Sequence, residues 1–293
     1  MAHTPHPALG LRQFRLRTSR FDDVSRLSYP SDLSDPAWSR VRPHIVPARL
    51  RGRPCPKQRW REYLDAILYM VRTGCPWRAL PHDVGVHWSS AHKHFLRWAR
   101  RGRWQRILDD RREQVRQDVG RASSPTAGGA DSCSVKSTPA AGPRGFDGAK
   151  KLTGVKRHVV VDTLGLLLGV SVTAANTQDR AALPHLLAEV TTRCPTLELL
   201  WADRGYPGAP LAAAVAALSV TRALVSGVKP PAGSGQFAVQ PRRWVVERSF
   251  AWMSRCRRLA RQYEQTALAH ETMTIISQIA LMLRRLDKPT EPP

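Results

Sequence analysis

The stretch LELLWADRGYPG, Leu197 to Gly208, decides the fold. Five of the six residues before Asp203 are apolar, which predicts a buried strand, and the turn residues Gly205, Pro207 and Gly208 follow at once. An unpaired charge ending a buried strand is costly if desolvated. At the carboxyl end of a strand in a mixed α/β sheet, however, it opens onto the crevice where ligands bind. A solvated turn residue is the plainer reading of one such Asp. The weight of Asp203 therefore depends on whether other carboxylates join it.

Strand and helix alternate on both sides of this stretch. KRHVVVDTLGLLLGVSVTA (156–174) is two β-branched runs around a DTLG turn, the composition of a hairpin. RAALPHLLAEVTTR (180–193) predicts a helix, APLAAAVAAL (209–218) another, and VTRALVSG (220–227) a short strand. Strand, strand, helix, strand, helix, strand describes an α/β domain with a mixed sheet. RRWVVERSFAWMSRCRRLARQYE (242–264) then predicts one long basic helix, and 268–286 a second, apolar one.

The front of the chain has a different texture. From 34 to 119 it is helical and basic: SDPAWSRVRPHI offers Asp35 as a cap with Pro36 at the first helical position. WREYLDAILYMVRTG repeats apolar residues at helical spacing and stops at Gly74. SSAHKHFLRWARRG starts on a Ser cap, buries Phe95, Leu96 and Trp98, and leaves Lys93 and Arg97 outside. Short helices joined by tight turns, the last one basic, suit a helix-turn-helix-like module placed against DNA; an ordinary bundle with a solvated face is the alternative. The organisation expected is a basic, unstructured arm at 1–33, a small all-α DNA-binding domain at 34–119, a linker at 120–129 (GRASSPTAGG) and an α/β domain at 130–288.

Charge narrows the partner. The 293 residues carry 46 Lys plus Arg against 23 Asp plus Glu, a net +23 spread along the whole chain. Such a surface calls for a polyanion, and nucleic acid fits best. A membrane partner is not expected, because no apolar run approaches the ~18–20 residues of a spanning helix. Five scattered cysteines with no C-x-x-C pair point to a reducing compartment, the cytoplasm, and not to a disulfide framework or zinc site. No phosphate-loop or dinucleotide motif occurs.

Two further acids stand out. Glu247 is the exception in its basic helix, sharing a face with Arg243, Phe250, Ala251 and Ser254. An Arg–Glu surface pair worth a few tenths of a kcal/mol and a metal-binding carboxylate with phosphate-holding arginines are both open on spacing alone. Asp131 lies within GGADSCSVKST (128–138), a strand-compatible stretch of little compositional weight.

GADSCSVKS, GPRGFDGAKKLTGVKRHVVVDTLGLLLGVSVTAANTQDR, WADRGYPG and PRRWVVERSFAWMSRCRRLARQYE together resemble the transposases of bacterial insertion sequences, in the insertion-sequence-five group with a DDE (Asp-Asp-Glu) domain. LSDPAWSRVRPHI through RTGCPWRALPHDVGVHWSSAHKHFLRW resembles that group's N-terminal domain, so the likeness runs in collinear blocks from Tyr29 to Leu286. The resemblance implies an RNase H-like mixed sheet flanked by helices. It also implies a catalytic, metal-binding triad of Asp131, Asp203 and Glu247, and a cofactor of two Mg²⁺ ions with Mn²⁺ able to substitute. The activity implied is cleavage at the element's ends and transfer of the 3′-hydroxyl to target DNA. The partners implied are double-stranded DNA (terminal inverted repeats and target) and a homodimer or larger assembly on it, in the bacterial cytoplasm at the nucleoid. Of the group's Tyr-Arg-Glu-Lys signature, Arg243 and Glu247 match, whereas Gln240 stands for the Tyr and Ser254 for the Lys.

Three acids remote in sequence suffice for such chemistry, because two divalent ions about 3.5–4 Å apart activate the attacking oxygen and relieve charge on the phosphate. A recombinase with a Ser or Tyr nucleophile is the chemical rival. An inactive, repressor-like copy and an RNase H-like nuclease without strand joining are the functional ones. Lys93, Arg97, Lys136, Lys150, Lys151, Lys156, Arg157, Arg243, Arg248 and Arg255 are the candidate DNA contacts. His158 and Asp162 read as a core histidine and a hairpin turn residue.

Overall fold

The computed structural model describes residues 28–47, 57–202, 206, 209–218, 222–225 and 243–287. Asp203, Gln240 and residues 1–27 of the arm expected over 1–33 lie outside the described residues, as do the side chains of Arg243 and of 222–225.

Four helices come first: α1 (Asp35–Ile45), α2 (Lys57–Thr73), α3 (Trp88–Arg100) and α4 (Arg103–Asp118). Ser34, one residue earlier than expected, caps α1: its side chain accepts from the Ala37 backbone N–H, which places Asp35 and Pro36 inside the first turn. Gly74, at φ 77°, lets the chain leave α2, and an added Cβ there would meet Arg257 Cβ at 3.0 Å. Aromatic rings fill the space between α2, α3 and α4: Tyr63 stacks on His94 at 4.3 Å and Trp98 meets Trp104 edge-on at 5.4 Å. Burial, then Arg97 and Arg103, lowers His94 to about 4, so its ring is neutral inside this cluster.

The sheet follows: β1 (Ala127–Lys136), β2 (Gly145–Asp147), β3 (Leu152–Asp162), β4 (Leu167–Ala174), β5 (Leu199–Ala202) and β6 (Arg222–Val225). β1 runs antiparallel to β3 and parallel to β5, and β5 runs parallel to β6. β2 and β4 both pair with β3 on the side away from β1, β2 at Leu152–Gly154 and β4 from Val155 onward. This mixed sheet is the RNase H-like arrangement. The last three residues of the stretch read as a linker, Ala127–Gly129, belong to β1.

Period-two alternation sorts each strand between two layers. Ala130, Val160 and Leu168 face α5 (Asp179–Arg193), packing on Leu183, Leu186, Leu187 and Val190. Val135, Val155, Val159 and Val161 face the other way, into a core shared with α7 (Arg243–Ser254) and α8 (Ala267–Leu286). Trp60, Phe95, Trp98, Trp104, Ile107 and Leu108 of the front helices belong to that same core. A salt bridge between Arg116 of α4 and Asp162 of the β3–β4 turn, at 2.5 Å, ties the two regions beneath it. α6 (Ala209–Ala217) completes the element list.

Two helices differ from expectation: α3 is capped by His87, whose ring accepts from the Ser89 N–H, and not by a Ser, and the long basic helix is shorter. The long helix expected over 242–264 stops at Ser254, followed by a single 3-10 turn at Arg257–Leu259. Arg258 is buried against Glu264 at 2.7 Å and donates to the Cys75 carbonyl, which draws the chain inward. Beyond it Gln262 takes up strand-like pairing with the end of β1, donating its N–H to the Lys136 carbonyl and accepting from Thr138 N–H.

Candidate active site

Asp131 lies midway along β1, opposite Val159, and its Oδ1 accepts from the Ser132 N–H at 2.7 Å. Its face of the sheet follows from its neighbours two residues away and one residue on. A Cβ built on Gly129 would meet Val246 Cγ2 of α7 at 2.8 Å, so Gly129, and with it Asp131, faces α7. Ser132 faces the opposite way and donates to Asp179 Oδ1 at 2.8 Å, at the start of α5.

α7 lies along the Asp131 face. Val245, Val246, Ser249 and Met253 are its buried stripe; Trp244, Glu247, Ala251 and Ser254 are exposed. Glu247 follows directly on the residue that touches Gly129. The side chains of Asp131 and Glu247 thus belong to one side of the sheet, on adjoining elements. The parallel β1–β5 register pairs Ala127 with Leu199 and ends at Ala130 with Ala202. In sequence, an aspartate comes next in both segments: Asp131 and Asp203. Asp203 itself lies outside the described residues. Among the described residues no group of three or more His, Cys, Asp and Glu is arranged to hold a metal ion. The donors that are described, two carboxylates on one face, are the hard oxygen ligands that suit Mg²⁺. Cys133, further along the same face, is a soft sulfur donor that does not suit Mg²⁺, and burial raises its thiol pKa.

The basic candidates fall into three groups. Lys93 and Arg97 on α3, Lys136 at the end of β1, Lys150 and Lys151 in the β2–β3 turn, and Arg255 are exposed. Lys156 and Arg248 are half-buried and already engaged. Lys156 donates to the Thr177 carbonyl at 2.9 Å and sits 3.2 Å from Asp179. Arg248 donates to the Leu164 carbonyl and lies between the Trp244 and Trp252 rings, at 4.5 and 4.8 Å. Arg157 is unsuited to phosphate. It is 3% exposed, and its guanidinium is spent on the Leu259 carbonyl at 3.0 Å. Its odd-numbered place in β3 turns it into the layer under α7, which sequence charge alone did not reveal. His158 is a core histidine, 1% exposed and bonded to Thr173 Oγ1. Asp162 is a turn residue, accepting from the N–H groups of Leu164 and Leu166.

Two features were missed from sequence. One is Trp244, 56% exposed, which with Trp201, Val245, Gly129 and Arg121 lines a cavity of about 270 Å³ beside the site. A Trp next to Arg243 was a signal available in the sequence. The other is the Gly129–Val246 seat, for which the sequence carried no signal beyond a glycine in a strand.

Residues 129–283 match the family described as "Transposase DDE domain", more than half of the chain. The chain belongs to this family. Residues 33–108 match a second description, "Putative transposase of IS4/5 family", so the front helices and the sheet point to the same group of insertion-sequence transposases. A protein of Burkholderia cepacia named "Putative transposase for insertion sequence element IS402" is 31% identical over 139 residues, covering 45% of this chain and 63% of that protein. "Uncharacterized protein y4sN" of Sinorhizobium fredii is 36% identical over 78 residues, 27% of this chain and 58% of that protein. The chain thus spans about three fifths of the length of these relatives. No solved structure matches the chain. Among the described residues no helix is long and apolar enough to cross a membrane.

Proposed function

We propose that the chain is a DNA transposase that cleaves at the ends of an insertion sequence and joins the freed 3′-hydroxyl to target DNA, with Asp131, Asp203 and Glu247 as its acids. The observation that carries this reading is the convergence of Asp131 and the Glu247 helix on one side of the sheet, beside a parallel strand pair whose two segments each continue into an aspartate.

The three carboxylates would hold Mg²⁺, which when bound supplies charge relief at the scissile phosphate and activation of the attacking oxygen. The chain's own contributions are separate. Asp131 is held by a strand paired on both edges up to its preceding residue, so its carboxylate is presented from a fixed backbone. Exposed Lys136, Lys150, Lys151 and Arg255 supply positive charge for the DNA backbone, and Lys93 and Arg97 of α3 do so at the front helices. The duplex is the partner, and pairing of two ends on it calls for a dimer or larger assembly.

The test is Asp203→Asn with an end-bearing duplex and Mg²⁺ or Mn²⁺, following nicked and joined products separately. Loss of both products with duplex binding retained is expected. Parental activity would remove Asp203 from the chemistry, and nicking without joining would leave a nuclease.

A further inference from the structure

We propose that Gly129 is a positioning residue for the reaction, through a glycine seat that sets the height of α7 and hence the place of Glu247 relative to Asp131. The inference rests on the reading of Asp131 and Glu247 as members of one site.

Two glycines lie close against α7, one on either side of Glu247. Val246 Cγ2 lies 2.8 Å from where a Gly129 Cβ would be. At the other, a Cβ on Gly165 would meet Ser249 Oγ at 2.9 Å and Trp252 at 3.0 Å, and Ser249 Oγ donates to the Gly165 carbonyl at 2.8 Å. Between these points the helix has little freedom to rise or roll. Carbon atoms in ordinary contact sit about 3.5–4 Å apart, so a methyl at position 129 requires a displacement of about 0.7–1.2 Å. Val246 is 3% exposed and β-branched, and such a side chain keeps essentially one rotamer in a helix. The helix backbone must move instead, carrying the adjoining Glu247 with it. Gly165 is held at φ 78°, so substitution there is strained for an unrelated reason. Gly129 is not among the positive-φ glycines and gives the cleaner test.

A misplacement of about 1 Å costs on the order of 10²-fold in rate. Gly129→Ala is expected to slow end cleavage by about 10–100-fold, to raise the Mg²⁺ concentration needed for half-maximal rate and to leave duplex affinity unchanged. Adding Val246→Ala, which removes the methyl that collides, is expected to restore the rate and the Mg²⁺ requirement. It should also recover the melting temperature of the metal-free protein. Parental activity of Gly129→Ala, or a loss that Val246→Ala does not relieve, overturns the inference. If Gly129→Ala does not fold, the comparison moves to Val246→Ala alone against the double variant. A double variant as stable and as active as Val246→Ala supports the seat, and a worse one sinks it. Asp131→Asn and Glu247→Gln are run alongside. Activity in those two removes the underlying reading, whereas their inactivity beside a fully active Gly129→Ala removes the seat alone.

Discussion

Arg116→Met is the most informative single perturbation of stability. Arg116 and Asp162 have side chains 6% and 0% exposed and meet at 2.5 Å. Asp162 Oδ1 accepts from two turn N–H groups at 2.9 and 2.8 Å, and Arg116 Nε donates to the Ala122 carbonyl at 2.7 Å. Methionine fills most of the arginine's volume but leaves the carboxylate buried without its counter-charge, a loss of about 3–5 kcal/mol. Asp162→Asn keeps an acceptor for the turn and leaves the guanidinium its carbonyl, so about 1.5–3 kcal/mol is expected, the range for a hydrogen bond to a charged group. In the double variant neither charge is stranded, and its loss falls short of the sum by about 2 kcal/mol. Urea unfolding followed by tryptophan fluorescence and far-ultraviolet circular dichroism measures all three. Both probes should report one transition, because α4, α7 and α8 share one core. A loss below about 1 kcal/mol for Arg116→Met, or strict additivity in the double variant, would refute the argument that this pair binds the front helices to the sheet.

Acid sensitivity should come from imidazoles held neutral by burial: His94 among the front helices, and the two most deeply buried, His158 and His270. Burial first, offset by Asp179 and reinforced by Lys156, lowers His158 to about 4; burial, then Arg157 and Arg258, lowers His270 to about 3. Both folded values lie below the unfolded one of about 6.5. Their stabilisation is therefore present above pH ~6.5 and is lost as pH falls toward 4 and then 3. The urea midpoint should drop over that window, and a His158→Gln/His270→Gln variant should show a shallower drop. On the surface, replacing Lys136, Lys150 and Lys151 with Ala should flatten the salt dependence of duplex binding by roughly 0.9 for each phosphate no longer neutralised. Arg157→Ala should instead lower the melting temperature and leave that slope alone.

Elements with a strong period or a turn signal were legible in the sequence. The DTLG hairpin, the Gly74 stop and the apolar run before Asp203 each follow from local chemistry that tertiary contacts reinforce. Two misreadings share one cause. The helix expected through Glu264 ends at Ser254 because Arg258 finds Glu264 and the Cys75 carbonyl in the interior, and Gln262 finds the edge of β1. Arg157 looked like a phosphate ligand for the same reason: an arginine's partners are not local, and charge in a sequence says nothing of which layer it faces. Glycine is the reverse case. Gly129 carries no side chain to announce itself, yet its absent methyl is what Val246 occupies.

The shared core bears on how the chain could handle DNA. Helix α3, which presents Lys93 and Arg97, packs through Phe95 and Trp98 into the core that also holds Val246 and Met253 of α7. Arg72 of α2 donates to the Arg255 carbonyl, and Arg258 to the Cys75 carbonyl, so the joint is polar as well as apolar. Moving α3 against the sheet would expose that core, at about 25 cal/mol for each Å² of apolar surface. If α3 reads the duplex, the distance from the bases it reads to the bond that is cut is set by this packing and not by a tether. A base pair inserted between them then rotates the cleavage point about the helix axis, where a tethered module would absorb the change.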